Sequence, residues 1–403
     1  MINGNSWFRE KILLGMSPRD YVVSHFTVLN LIAMVLLAVG IYAMVYRLIV
    51  GLGPATNLSD TYPWGLWIGF DILVGIALAA PGLTLGTAVH LFGMREYHHF
   101  VRPAIVSSLL GYIFAVFALM FDLGRYYRVP YLLGWSWGFH SILFLIGWHF
   151  FLYINICLIE WSPALFEWLN LRKLREFFTK LTIWATIFGV IIAGGHQSAL
   201  GALYVVTPAK LHHLWYSPLL PAFFLLSAIF AGIAMVIVES TITHRVFRKQ
   251  LKDFDPAKFD RLTVGLGKAT AAALFIYLIL KLFDLAAGDK WAYLGTPYGY
   301  WYLVEILGFI VLPIILFTTG VRSGNARLVR YTGLLTVVGV ILNRLNVSII
   351  AYNWYLPSAL KYYPKWTEVA LTIGVVTMLV LAYRFIVNRM PIMYEHPEYE
   401  SGH

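Results

Sequence analysis

Ten apolar runs, separated by short polar connections, dominate the sequence. Each run is close to the roughly 20 residues that an α-helix needs to cross a bilayer. The pattern therefore predicts an all-α, polytopic integral membrane protein with about ten transmembrane helices. We place them at residues 21–50, 64–92, 103–121, 134–159, 177–205, 218–243, 265–286, 299–320, 328–350 and 368–390.

The composition agrees with this pattern. Hydrophobic residues make up 60% of the chain and charged residues 12%, whereas a soluble protein carries roughly 25% charged residues. The first run is too long for a signal-peptide core, and no small-residue cleavage site follows it, so we expect it to remain as a membrane anchor. The connections are short, and we expect residues 1–403 to form a single membrane domain.

The basic residues predict the orientation. Twenty of the thirty Lys and Arg residues lie in the N-terminal tail, the even-numbered loops and the C-terminal end, and six lie in the odd-numbered loops. By the positive-inside rule, both termini are cytoplasmic. The net charge of +10 is then mostly a topology signal, and we expect no nucleic-acid partner.

Cys157 is the single cysteine of the chain. An iron–sulfur cluster needs about four ligands, so any such cluster must belong to a partner chain. The loop histidines do not have the spacing of a zinc site with cysteines, and we assign no metal.

Polar groups in the membrane are costly and usually mark function. The run Gly194-Gly195-His196-Gln197 places one ionisable side chain in an otherwise apolar helix. With the predicted orientation, His196 lies two to three turns from the outer surface, and Asp71 and His140 lie about two turns deep. Four consecutive helices therefore bring polar groups to one level, with Asp122 and Arg125 at the outer rim.

We expect Trp67, Asp71 and Gly75 to share one face of the second helix, because they are four residues apart. A glycine allows close approach of a flat ligand, and the face suits an aromatic head group with two carbonyl oxygens. The alternative is that Asp71 only pairs with Arg125 or a backbone group and holds the bundle together. Similarly, His196 and His140 are either ligand contacts or packed polar groups.

His149 is nine residues from His140 and should face the opposite way. We expect it to be packed and bonded to a backbone carbonyl. Glu239, at the inner end of the sixth helix, is either a proton entrance or an interfacial partner of His244, and we favour the second role. A further polar set, at the outer ends of helices 7 to 9, is predicted to form a structural ion-pair network; it comprises Lys281, Asp284, Glu305, Asn343, Arg344 and Asn346.

Several motifs in order resemble the NrfD/PsrC (polysulfide reductase) family of membrane subunits, closest to its HybB-like branch. The clearest is Tyr62-Pro63-Trp64-Gly65-Leu66-Trp67-Ile68-Gly69-Phe70-Asp71. The others lie at residues 47–53, 102–104, 122–126, 160–167, 196–201, 210–215 and 343–348.

The resemblance implies a subunit without its own cofactor, which exchanges electrons between menaquinone or ubiquinone and a periplasmic, ferredoxin-like iron–sulfur subunit. The catalytic partner would be a hydrogenase, a molybdopterin enzyme or a multihaem cytochrome, and the location the cytoplasmic membrane of a bacterium or archaeon. It also implies two four-helix bundles, at 64–205 with the quinone site and at 218–350, flanked by helices 21–50 and 368–390. The family's motif residues carry over at Asp71, Asp122, Arg125, His196 and Gln197.

The fourth helix departs from the family. Relatives often carry an acid where this chain has Leu145, and His149, one turn further on, is our candidate replacement. We therefore predict that Asp71, His140 and His196 are catalytic, that Trp67, Gly75, Asp122, Arg125 and Gln197 complete the quinone site, and that His149 and Glu239 belong to a candidate proton path.

Two other functions fit the same pattern. Facing histidines such as His140 and His196 suit a b-type cytochrome, although we expect no haem. Intramembrane acids and paired bundles also occur in ion or solute transporters. Against a transporter, the only candidate mid-membrane breaks are Pro81-Gly82 and Gly194-Gly195. Coupled proton translocation remains open.

Overall fold

The computed structural model describes residues 4–248 and 255–393. Within these residues no β-strand forms, and Leu211 and Tyr352 make one isolated antiparallel bridge. Ten helices are long and apolar enough to cross a membrane, in agreement with the predicted class. They are α1 (Val28–Val50), α2 (Trp67–Leu91), α3 (Arg95–Asp122), α4 (Ile142–Trp168), α5 (Arg172–Val205), α6 (Leu220–Val246), α7 (Pro256–Ala287), α8 (Pro297–Arg322), α9 (Ala326–Ile350) and α10 (Trp366–Arg389).

Helix α4 differs from its predicted boundaries at both ends. The helix begins at Ile142 because Ser141 caps it, its hydroxyl accepting the Phe144 N–H at 3.4 Å. The apolar residues before Ser141 are therefore connection rather than helix. At the other end α4 continues past Pro163. Proline has no N–H to donate to the Ile159 carbonyl, and the Ser162 hydroxyl donates to that carbonyl instead, at 2.8 Å. Similarly, α1 begins seven residues later than predicted, after the cap Thr27.

The helices pack in two rings with a flanking pair. Helices α2 to α5 form the first ring, in which α2 contacts both α3 and α5, and helices α6 to α9 form the second ring. The rings meet where α6 and α9 pack against α2. The flanking helix α10 packs along α1 and also contacts α2 and α3.

Because successive helices alternate in direction, the connections lie on two sides. We call the side that carries residues 51–66, 123–141, 206–219, 288–296 and 351–365 the aromatic side. The opposite side, with the remaining connections, is the basic side. The aromatic-side ends of α2 and α5 bring Asp71 and His196 into the same half of the molecule.

The second helix is not a regular α-helix. Its first two turns, Trp67–Val74, and its last turn, Thr87–Leu91, are π-helical, and the α-helix between them is interrupted after Leu78, before Pro81. Two further π-helical turns, Val304–Val311 and Asn346–Ile350, occur in α8 and α9. π-Helical turns are rare and often mark functional sites. A π-helical turn contains more residues than an α-helical turn. Helix faces predicted from 3.6 residues per turn are therefore unreliable across the π-helical segments of α2.

We expect Gly40→Ala to destabilise the flanking pair. A Cβ atom on Gly40 would lie 2.5 Å from the Gly374 Cα atom and 3.2 Å from the Ala370 carbonyl oxygen, and backbone atoms cannot give way cheaply. Overpacking of this kind costs about 1–3 kcal/mol. The thermal midpoint of the detergent-solubilised protein should therefore fall. Gly308→Ala is the control, since nothing lies within 4 Å of its added Cβ atom. An unchanged midpoint for Gly40→Ala would contradict the close contact.

Candidate functional site

The structure does not bring the predicted site residues together: His196 belongs to one cluster, and Asp71 and Asp122 belong to another. The imidazole cluster comprises Tyr112, His149, Phe150, Tyr153 and His196 in the first ring. The carboxyl cluster comprises Arg47, Asp71, Asp122, Glu368 and Thr372, where the flanking helices meet the first ring. No hydrogen bond or ring contact joins Asp71 to His196 among the described residues.

His196 is fully buried and both of its ring nitrogens have partners. Nδ1 lies 2.9 Å from the Ile192 carbonyl oxygen, and Nε2 is hydrogen-bonded to the Tyr112 hydroxyl. A carbonyl can only accept, so Nδ1 carries the proton. The neutral ring therefore accepts from the Tyr112 hydroxyl at Nε2. A ligand can reach this nitrogen only if Tyr112 moves.

Aromatic rings enclose His196 on its other sides. The ring centroids of Tyr112, Phe150 and Tyr153 lie 5.1, 5.6 and 5.4 Å from that of His196. The cage excludes water and disfavours a charged imidazole. His196 is thus a neutral, oriented group rather than an open one.

His149 is the more accessible imidazole. Its Nδ1 donates to the Leu145 carbonyl at 2.7 Å, the expected backbone contact, and its ring centroid lies 6.5 Å from that of His196. The side chain is half-buried, on the outer surface of the first ring, where Leu145 and Ile191 are exposed. Its Nε2 accepts no hydrogen bond from the described residues. A Cβ atom on Gly195 would approach this nitrogen to 3.0 Å, so Gly195 makes room for His149.

Gln197 satisfies the backbone of the interrupted helix α2. Its Nε2 donates to the Ile76 carbonyl at 3.0 Å, and the Ser108 hydroxyl accepts the Gly82 N–H at 2.8 Å. Such substitutes for lost helical bonds are needed in a bilayer. Helix α5, in contrast, continues without a break through Gly194 and Gly195.

Asp71 faces the flanking helix α10. Its Oδ2 accepts a hydrogen bond of 2.8 Å from the Thr372 hydroxyl, and the side chain is buried. Trp67 also points to α10, where its indole donates to the Glu368 carbonyl at 3.2 Å. Gly75 instead packs against Ala115 of α3. Trp67 and Asp71 therefore share a face, as predicted, but Gly75 does not lie on it, because the π-helical turns of Trp67–Val74 precede Gly75.

Arg47 anchors the end of α3. It donates from Nε to the Phe121 carbonyl at 2.6 Å and from Nη2 to the Leu123 carbonyl at 2.8 Å. Asp122 lies between these residues, and its buried Oδ1 accepts no hydrogen bond from the described residues. Arg125 is exposed and does not pair with Asp71. The cation beside Asp122 is therefore Arg47.

His140 lies outside both clusters. It is exposed, in the connection just before the cap Ser141. The prediction that it lies two turns deep, level with His196, is wrong because α4 starts eight residues later than the apolar pattern indicated. His149 takes the place beside His196.

Glu239 lies at the basic side, away from both clusters. Its Oε1 accepts from the Tyr383 hydroxyl at 2.7 Å, while Oε2 is buried and accepts no hydrogen bond from the described residues. Glu239 lines a narrow cleft with Phe100, His244 and Met393. No residue is shared with the imidazole cluster, so a path that joined Glu239 to His149 would need other groups.

Four residues of the polar set in the second ring, Glu305, Asn343, Arg344 and Asn346, form one hydrogen-bonded group, and Asp284 and Lys281 have separate partners. Glu305 accepts from Asn343 at 2.7 Å, Trp215 at 2.9 Å and Asn346 at 2.5 Å. Arg344 donates to Ser227, and Asp284 pairs with Lys290, both at distances near 2.7 Å. Lys281 lies over the Phe223 ring, 4.3 Å from its centroid. The prediction of an ion-pair network is therefore wrong for the described residues: Glu305 is held by amides and an indole, and Asp284 pairs with Lys290, which lies outside the predicted set.

Sequence reasoning missed the partners of the site residues. Tyr112 and Tyr153 are buried in apolar runs, where tyrosine is easily assigned to an interface, and Thr372 and Arg47 belong to helices taken as flanking. The mid-helix position of Tyr112 was the available signal. Among the described residues, no group of three or more His, Cys, Asp or Glu side chains is placed to hold a metal ion.

Above the second ring, His212 is a buried histidine in the α5–α6 connection. Burial and, to a smaller extent, the neighbouring His213 together lower its pKa to about 4. Its Nδ1 accepts the Leu214 N–H at 3.2 Å, a bond that protonation would break. An unfolded histidine has a pKa of about 6.5. Below that pH the unfolded chain binds a proton that the folded protein does not, so stability is lost as the pH falls from about 6.5 to about 4.

We expect His212→Asn to reduce this loss, because asparagine has an acceptor oxygen and does not titrate. The measurement is the thermal midpoint of each protein between pH 7 and pH 4. His213→Asn, at the exposed neighbour, should keep most of the pH dependence of the parent protein, because burial, the larger cause of the lowered pKa of His212, remains. Equal pH dependence in His212→Asn and the parent would show that His212 is not responsible.

Comparison with known proteins identifies the family of the chain. A sequence model of the family described as polysulphide reductase, NrfD, matches residues 54–357, which contain α2 to α9 and exclude α1 and α10. A protein of Nitratidesulfovibrio vulgaris is 44% identical over 374 residues, covering 93% of this chain and 96% of that protein.

Two relatives have informative names. The probable Ni/Fe-hydrogenase 2 b-type cytochrome subunit of Escherichia coli is 30% identical over 362 residues, covering 89% of this chain and 90% of that protein. The menaquinone reductase integral membrane subunit of N. vulgaris is 25% identical over 391 residues, covering 89% and 90%. With its ten membrane-spanning helices, the chain belongs to the NrfD family of polysulphide reductase membrane subunits.

Proposed function

We propose that this chain is the quinone-reactive membrane subunit of a respiratory oxidoreductase complex. It exchanges electrons between menaquinone or ubiquinone and an iron–sulfur partner subunit. The observation that carries the proposal is the imidazole cluster, in which an oriented neutral histidine, His196, lies beside the half-buried His149, whose Nε2 accepts no hydrogen bond from the described residues. The names of relatives that are hydrogenase and menaquinone reductase subunits point the same way.

The residues present fit a quinone. A quinone supplies two-electron, two-proton chemistry and approaches from the lipid phase. His149 bonds a carbonyl through Nδ1, so its neutral Nε2 can accept a proton from a hydroxyl, and the protonated ring can donate to a carbonyl oxygen. On α5, Gly195 leaves room for the His149 ring, because a Cβ atom there would lie 3.0 Å from its Nε2.

His196 and Tyr112 have a supporting role in this proposal. Their mutual hydrogen bond fixes the tautomer of His196 and keeps the interior dry. If Tyr112 turned away, the Nε2 of His196 would become an acceptor for the ligand. Asp71 holds or releases a proton at the carboxyl cluster, and Asp122 and Arg125 lie at the rim next to the aromatic side.

We place the partner subunit on the aromatic side. The positive-inside rule supports cytoplasmic termini, which makes the aromatic side periplasmic. A ferredoxin-like iron–sulfur subunit would dock there and pass electrons to or from a hydrogenase, a molybdopterin enzyme or a multihaem cytochrome. Both clusters lie in the half of the membrane nearest that side.

Haem fits the imidazole cluster less well, although one relative is named a b-type cytochrome subunit. Two histidines that hold haem must direct their Nε2 atoms to one iron from opposite sides. Here Tyr112 occupies the Nε2 of His196, and the Nε2 of His149 lies against Gly195. The donors thus do not face each other across a gap. A visible absorption spectrum of the purified complex, with and without its partners, distinguishes the two functions.

We expect His149→Gln to lower quinone turnover by at least tenfold, because general acid–base groups contribute on the order of 10²–10⁴-fold. The assay is quinone-dependent electron transfer by the intact complex in lipid. His140→Gln is the matched comparison: it should stay within about twofold of the parent, since His140 is exposed and outside the helix. A large loss of turnover in His140→Gln, with normal turnover in His149→Gln, would place the quinone site at His140, just before the start of α4.

We expect Asp71→Asn to slow quinone turnover about tenfold while the complex still assembles. Asparagine keeps an oxygen that can accept from Thr372, but it cannot exchange a proton. Assembly is measured by co-purification of the partner subunits. Normal turnover in this variant would remove Asp71 from the mechanism.

A further inference from the structure

Helices α2 and α10 are joined by two hydrogen bonds that form a single unit. The Trp67 indole donates to the Glu368 carbonyl at 3.2 Å, and the Thr372 hydroxyl donates to Asp71 Oδ2 at 2.8 Å. Each helix thus contributes a pair of residues four positions apart. All four side chains are buried.

The direction of the Thr372 hydroxyl is unusual for this protein. A helical threonine commonly donates to the carbonyl four residues earlier, as Thr263, Thr270, Thr332, Thr336 and Thr377 do here. For Thr372 that carbonyl belongs to Glu368, and the Trp67 indole already occupies it. The hydroxyl is therefore left to Asp71.

The position of Glu368 at the start of α10 is fixed by the hydrogen bonds of its side chain. The carboxylate accepts from the backbone N–H groups of Asn57 and Lys365, at 3.1 and 2.9 Å, and from the Tyr362 hydroxyl. The Tyr362 hydroxyl in turn accepts the Leu66 N–H at 2.8 Å, one residue before Trp67. The start of α10 and the start of α2 are thus fixed relative to each other.

We infer that Thr372 and Trp67 are positioning residues for the Asp71 carboxyl. Thr372 holds Oδ2 in one direction. Trp67 acts through Thr372, because its indole occupies the Glu368 carbonyl to which the Thr372 hydroxyl would otherwise donate. Oδ1 is then the oxygen left for proton exchange. The inference rests on the proposed function at Asp71. It assigns a role to α10, which lies outside the family match at residues 54–357.

The test compares variants of Thr372 in the intact complex. Thr372→Val removes the hydroxyl at nearly constant volume and should lower the kcat for quinone by about fivefold with little change in KM. Thr372→Ser keeps the hydroxyl and should restore kcat to within about twofold. Thr377→Val is the control on the same helix, since that hydroxyl bonds only the Ile373 carbonyl at 2.7 Å on the exposed face. Its kcat should not change.

Trp67→Phe tests the indirect part. Without the indole N–H the Thr372 hydroxyl can return to the Glu368 carbonyl, so kcat should fall in the same direction as in Thr372→Val. In the Asp71→Asn background neither substitution should cause a further loss, because contacting residues that act through one another are not additive.

An infrared readout keeps the inference independent of turnover. The band lost on Asp71→Asn reports the Asp71 carboxyl, and it should shift in Thr372→Val but not in Thr377→Val. An unshifted band, or a kcat loss in Thr372→Val that persists at full size in the Asp71→Asn background, would overturn the positioning role. Normal turnover in Asp71→Asn with a shifted band would instead count against the proposed function and leave the positioning intact.

Discussion

Inside a bilayer no water completes the hydrogen bonds of the backbone, and this constraint shapes the site of the protein. Wherever a helix departs from α-geometry or ends, a neighbouring helix supplies the missing group. Gln197 and Ser108 serve the interruption in α2, and Arg47 serves the end of α3. Some of the buried polar side chains, such as Gln197 and Arg47, therefore form hydrogen bonds to backbone groups of other helices.

The remaining polar chemistry is divided between two environments. In the imidazole cluster, the neutral His196 is enclosed by aromatic rings, and the half-buried His149 lies at the outer surface of the first ring. The carboxyl cluster has Arg47 as its cation and is closed by the flanking helices. In the second ring, by comparison, Glu305 is fully hydrogen-bonded. The second ring therefore resembles a scaffold, whereas the first ring retains groups that can still react.

The sequence predicted much of the fold because crossing a bilayer imposes length and apolarity on each helix. It also identified Asp71, His196 and Gln197 as buried polar groups. It misplaced His140, because a cap at Ser141 decides where α4 begins and hydropathy does not register a cap. It could not predict Tyr112 or Thr372 as partners, because these contacts depend on how distant helices pack. The prediction that Gly75 shares a face with Trp67 was wrong, because the hydrophobic pattern of α2 does not indicate π-helical turns.

The π-helical turns of α2 have a consequence for how the family can vary. A π-turn is equivalent to one residue inserted into an α-helix. Loss of a single residue from Trp67–Val74 would restore regular hydrogen bonding, yet it would rotate one part of α2 against the other by roughly 100°. Either the contacts of Trp67 and Asp71 with α10 or those of Ile76 with Gln197 would then be lost. The length of this segment is thus under stronger constraint than most of its side chains, and deletions should be tolerated less well than substitutions.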